Sequence, residues 1–148
     1  MQIIHSAEKK KILEQLESQF GINKLPYLLL QFGKEKIRAF SGSLSSQELL
    51  ILDKNLRIET VGLYFAKQQE DGLRLSLDAL HFLKNQITKN ILDINNEQAE
   101  SWFRGEDLLI KTDKGFKILK NTEDFIGCGK STGEKITNFM PKERRVKS

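Results

Sequence analysis

The stretch from residue 125 to residue 147 holds the side chains best able to do chemistry: Cys128 between two glycines, the triplet Gly129-Lys130-Ser131, and a series of cations ending at Lys147. The triplet matches the end of G-x-x-x-x-G-K-[ST], the loop whose backbone N–H groups wrap a triphosphate ahead of a helix. The motif's first glycine is Asp124 here, and its carboxylate would repel phosphate. Pro141 then stops any helix begun by Ile136, Phe139 and Met140. A nucleotide loop is therefore rejected. The pattern predicts two short strands joined by a glycine turn, offering Lys130, Lys135, Lys142, Arg144, Arg145 and Lys147 to a polyanion. Such cations release counterions from nucleic acid and give affinity without sequence information. A solvated basic tail is the competing reading of the same residues.

The remaining reactive residue types point away from catalysis. Cys128 is the single cysteine, so there is neither a disulfide framework nor a thiolate cluster for zinc. Flanked by glycines in an apolar run with no histidine nearby, it reads as a small buried filler. Glu106 and Asp107 point to opposite faces if they lie in a strand, which prevents them from working as acid and base. His81 reads as an ordinary interfacial histidine, and His5 lies near the N-terminus. No catalytic residue, metal ligand or cofactor is expected. An enzyme reading would need a deep pocket where several titratable groups converge.

The elements that must position these residues follow from periodicity. A helix over 6–19 is predicted, capped by Ser6, with Ile12, Leu13, Leu16 and Phe20 on one face and Gly21 ending it. Strands are expected at 27–32 and 37–40 with a hairpin loop at 33–36. Ser45 and Glu48 form a capping box for a short helix with Leu49, Leu50 and Leu52. A second hairpin pairs 57–67 with 73–77, with Gly62 marking a bulge or close approach. A helical segment follows at 78–83. The polar stretch 84–90 is the best boundary, giving domains 1–88 and 89–148. Beyond it come a strand at 91–94, a helix capped by Asn95 or Asn96 carrying Ala99, Trp102 and Phe103, and Gly105 closing that helix. Segments 108–111, 116–120 and 125–130 alternate as short barrel strands do. Trp102 reads as core, with base stacking as the other use of its ring.

With 148 residues, 39% apolar and 30% charged, the chain can hold one ordinary domain or two small ones with a real core. No apolar run approaches the roughly 18 residues of a membrane span. The first residues lack the pattern of a secretory signal, so an intracellular, cytoplasmic protein is expected. The net charge of +4 is moderate, but it is unevenly spread. Residues 93–113 are acid-rich, whereas six cations against Glu134 and Glu143 follow from Lys130 onward.

The order of strand, Asn-capped helix ending Trp102-Phe103-Arg104-Gly105-Glu106, hairpin, and Ile126-Gly127-Cys128-Gly129-Lys130 resembles the PUA domain, a small pseudobarrel RNA-binding module. The ending Asn138-Phe139-Met140-Pro141-Lys142-Glu143-Arg144-Arg145 is similar to the PUA-like domain of Sun-family RNA cytosine-5 methyltransferases. Upstream, Val61-Gly62-Leu63-Tyr64-Phe65-Ala66-Lys67 and Leu73-Arg74-Leu75-Ser76-Leu77-Asp78-Ala79-Leu80 resemble the pre-PUA half of small ribosome-biogenesis factors that act in large-subunit rRNA processing. Those factors lack the methyltransferase-type ending present here.

The resemblance implies an α+β protein: a small α/β N-terminal pre-PUA-like domain followed by a C-terminal PUA-like β pseudobarrel. It implies a non-enzymatic RNA-binding protein, since the two small domains fill the chain and leave no methyltransferase body or cofactor fingerprint. The expected RNA is structured rRNA, in ribosome biogenesis or RNA modification, with tRNA as the other candidate. Phosphates would meet Lys130, Lys135, Lys142, Arg144, Arg145 and Lys147, with the Arg104-Gly105 turn approaching the ribose-phosphate chain. The alternative is an adaptor whose N-terminal domain binds a protein, such as a methyltransferase or an assembly factor. An exposed apolar patch on the Tyr64 and Phe65 hairpin would favour it.

Overall fold

The computed structural model describes residues 2–40 and 63–146. The expected capping box at Ser45, the beginning of the strand at 57–62 with Gly62, and Lys147 lie outside the described residues. Within them the chain forms β1 (Gln2–Ile3), α1 (Ser6–Phe20), β2 (Leu28–Phe32), β3 (Lys36–Phe40), β4 (Leu63–Gln69), β5 (Gly72–Leu75) and α2 (Leu77–Phe82). It continues through a 3-10 turn at Lys84–Gln86, β6 (Ile91–Asp93), α3 (Asn96–Phe103), β7 (Gly115–Asn121), β8 (Asp124–Ser131), β9 (Ile136–Thr137) and a last 3-10 turn at Lys142–Arg144. This is the expected α+β class.

In the first half, α1 buries Ile12, Leu16 and Phe20, spaced four residues apart on one face, and Gly21 ends it in the left-handed conformation. Burying each such large side chain contributes about 1.5–3 kcal/mol. Ser6 does not cap the helix as expected; His5 is the N-cap and supplies no side-chain bond. The reason is upstream: the N–H of buried Ile4 bonds to the Leu29 carbonyl, which leaves His5 as the last extended residue. Strands β1 to β5 make an antiparallel sheet in sequence order. The two-residue turn Glu70-Asp71 joins β4 to β5, and the Ser76 hydroxyl caps α2 by accepting from the Ala79 N–H at 3.1 Å.

The second half is built on the four-stranded sheet β6-β7-β8-β9. Strand β6 runs parallel to β7, and α3 lies in the crossover that a parallel pair requires. Asn95 is the cap, with a full capping box to Gln98. The expected strand at 108–111 is a single bridge, Leu108 to Ile136. The Ile110 N–H bonds back to the Leu108 carbonyl at 3.0 Å, which turns the chain away from the sheet and leaves Leu109 exposed.

The cores of the two sheets meet. Phe116, Ile118, Phe125 and Cys128 of β7 and β8 pack in the same apolar cluster as Phe20, Phe65, Leu75 and Leu80. A second cluster, between α3 and the sheet, holds Trp102 with Leu108, Ile126, Ile136 and Met140. Trp102 is 1% exposed. Its indole edge from Nε1 to Cη2 runs along β8: a Cβ on Gly127 would stand 2.5 Å from Nε1, and one on Gly129 would stand 2.8 Å from Cη2. Those two glycines are what lets the helix lie so close to the strand. Burial pushes the Cys128 thiol up to about 12, as expected of a filler and not of a nucleophile.

Candidate functional site

The basic residues read from the sequence fall into two groups. In the sheet, Lys130 of β8 pairs with the Asp71 carboxylate in the β4–β5 turn, and its ammonium stands 5.7 Å from the centre of the Phe116 ring. The Lys130 hydrogen bond holds the Asp71 carboxyl below its ordinary range. Lys135, just before β9, sits 3.0 Å from Asp107. The other Asp107 oxygen accepts from the Asn138 N–H at 2.9 Å. That backbone bond, followed by Lys135, holds the Asp107 carboxyl down. Arg104 is likewise engaged, 3.4 Å from Glu106 and 3.3 Å from the Ser101 hydroxyl.

The second group lies on the tail. Asn138 fixes its start: its amide donates to the Trp102 carbonyl at 2.8 Å and the Glu106 carbonyl at 3.0 Å, while its oxygen accepts from the Met140 N–H at 2.7 Å. Arg145 Nε donates to the Met140 carbonyl at 3.0 Å. The Val146 N–H bonds to the Phe103 carbonyl at 2.7 Å, which brings the chain back to the end of α3. Gly105 has φ +88°, and the Arg145 side chain occupies the space where a Cβ would stand. The backbone at Gly105 therefore faces Arg145 and not open space.

Between these anchors the 3-10 turn exposes Lys142 and Arg144. Lys142 makes no ion pair among the described residues. Arg144 has a longer one, 3.7 Å from Asp78 at the start of α2.

Beneath Arg144 lies a cavity of about 290 Å³, walled by β4, β5 and α2 on one side and by β8 and the tail on the other. Tyr64, Arg74, Trp102, Gly127 and Phe139 are among its lining residues. The Arg74 guanidinium stands 4.2 Å from the centre of the Phe139 ring. No carboxylate pairs with Arg74 among the described residues. Sequence reasoning did not single out Asn138, Asp107, Arg74 or Phe139 as site residues. For Asn138 a signal existed, because an Asn two residues before a constrained turn can bond its own backbone.

The apolar patch that a protein partner would need on the β4–β5 hairpin is not formed by Phe65, which is fully buried; Leu63 is the exposed apolar residue there. Among the described residues no group of His, Cys, Asp and Glu could hold a metal ion, and no helix is long and apolar enough to cross a membrane.

Comparison with known proteins shows what the second half is similar to. Residues 89–146 match the family described as the methyltransferase RsmF PUA domain. The chain is 27% identical over 143 residues to ribosomal RNA small subunit methyltransferase F of Photobacterium profundum, covering 95% of this chain and 29% of that protein. It is also 27% identical over 143 residues to the protein of the same name from Psychromonas ingrahamii, covering 92% and 28%. With the Vibrio vulnificus protein it shares 29% over 89 residues, covering 60% of this chain and 19% of that one. The chain thus spans less than a third of the length of the curated relatives it matches. Fold, anchored tail and comparisons agree that the second half of the chain resembles the PUA domain of Sun-family RNA methyltransferases.

Proposed function

We propose that the chain is a non-enzymatic, intracellular RNA-binding module acting on structured RNA, with small-subunit rRNA the first candidate and tRNA the second. In this reading residues 89–148 form the PUA domain that carries the RNA face, and residues 1–88 form a pre-PUA domain that buttresses it. The pathway is RNA modification, the chemistry named in the curated relatives, rather than another stage of ribosome biogenesis. The observation that carries the reading is the anchored tail. A solvated basic tail would be held nowhere, whereas here Asn138 and Val146 are bonded to the end of α3, and Arg145 packs over Gly105 while bonding back to Met140. The 3-10 turn between them holds Lys142 and Arg144 out to solvent in a fixed geometry.

The other cations take graded roles. Lys142 and Arg144, followed by Lys147, contact phosphates directly. Lys130 and Lys135 exchange Asp71 and Asp107 for phosphate only at some cost, so they contribute less. Arg104, Gly105 and Arg145 shape and hold the surface. Recognition is mostly by shape, because phosphate contacts fix position without reading sequence. The adaptor alternative has less support, since the β4–β5 hairpin turns Phe65 inward.

Binding of a labelled small-subunit rRNA hairpin, followed by fluorescence anisotropy across a salt series, tests the reading. The expected result is an affinity that falls linearly in log–log form as salt rises, with unstructured RNA bound at micromolar strength or weaker. An absence of binding at low salt would overturn it.

A further inference from the structure

We propose that the cavity between the two sheets receives one unpaired base of the bound RNA. The inference rests on the RNA-binding reading above and goes beyond it, since phosphate contacts alone need no cavity.

Its size sets the class of ligand. At about 290 Å³ it lies at the low end of the range of roughly 300–1,000 Å³ over which proteins hold small molecules. A double helix cannot enter such a space, whereas a single splayed nucleotide can. Its walls set the chemistry. Proteins take up unstacked bases on aromatic rings and on guanidinium planes, and here both are present as a stack, Arg74 over Phe139 at 4.2 Å. Tyr64 supplies a further ring from β4. All three side chains are half-buried, so each keeps part of its surface open.

Charge placement agrees with this occupant. Lys130, Lys135 and Arg104 each have a carboxylate within ion-pair distance. Arg74 has none among the described residues, and its charge is met by the face of Phe139 alone. A half-buried guanidinium without a carboxylate keeps N–H donors free for acceptors supplied from outside. The carbonyl and ring-nitrogen acceptors of a base are such groups. At the rim, Arg144 is held by Asp78 at the longer distance of 3.7 Å and remains available to the phosphate that follows the base. The arrangement places a base inside and its phosphate on the tail.

Trp102 is the only tryptophan of the chain and lines the cavity floor, so its emission reports occupancy. Three hairpin RNAs of identical stem serve as probes: one with a single bulged adenosine, one with an abasic residue at the bulge, and one with no bulge. The bulged adenosine is expected to raise affinity about tenfold over the other two, the size of one base stack, and to change Trp102 emission. In the Arg74→Ala protein the three affinities should fall within about threefold of one another. If that variant does not fold, the abasic hairpin still decides the matter with the unaltered protein. Equal binding of all three RNAs with no change in emission would overturn the base pocket while leaving the RNA module intact. Failure of every hairpin to bind would overturn both readings.

Discussion

The two groups of cations differ in what holds them. Lys130 and Lys135 stand on or beside the second sheet, each within 3.0 Å of a carboxylate. Lys142 and Arg144 stand on a tail without regular strand structure, yet among the described residues they have no ion pair or only a long one. In the sequence all four look alike, as lysines and arginines in a basic stretch. The difference teaches that charge counted along a chain is not charge available to a partner: the fold brings Asp71 and Asp107, distant in sequence, onto the sheet cations. Exposed pairs of this kind contribute little to stability, but they do occupy the cation.

This contrast depends on the tail staying folded, and the largest effect should follow from releasing it. Asn138→Ala removes three hydrogen bonds, which is about 3 kcal/mol at roughly 1 kcal/mol each. Urea denaturation should show that loss, and the tail cations should then bind RNA no better than the sheet cations. Next is the packing under the tail: Gly129→Ala forces a Cβ against Ile136, Trp102 and the Thr137 carbonyl. Overpacking of this sort costs about 1–3 kcal/mol, read from the same denaturation curves. Arg145→Ala should lose about 1 kcal/mol through its bond to Met140.

The smallest effect is electrostatic. The Asp107 carboxyl is held below its ordinary value of 3.8 in the folded protein, so its contribution is present above that value and lost as pH falls through the lower folded one. Asp107→Asn should therefore lower the urea midpoint at neutral pH, with the gap to the unaltered protein closing in acid. A gap that widened in acid would contradict the assigned direction.

Much of the fold was legible because it rests on local periodicity. The apolar spacing in α1 and the turn residues between β4 and β5 are properties of neighbouring residues. The Asn95 cap is as well. The strand expected at 108–111 failed because alternation does not reveal a backbone that bonds to itself at Leu108 and Ile110. The Ser6 cap failed because a distant bond, Ile4 to Leu29, set the helix start. The site was legible in its ingredients and not in its arrangement. The tail cations could be named, but their anchoring depends on Asn138 reaching Trp102, 36 residues away. Arg74 and Phe139 meet across the two halves of the chain, a contact no spacing rule could supply.

The salt dependence of rRNA-hairpin binding tests the contrast most directly, measured for the unaltered protein, a Lys142→Ala/Arg144→Ala protein and a Lys130→Ala/Lys135→Ala protein. Each phosphate contact removed flattens the log–log slope by about one unit. The tail pair should lose about one to two units and the sheet pair less than about one. A tail variant that kept its slope while the sheet variant lost its own would contradict the account.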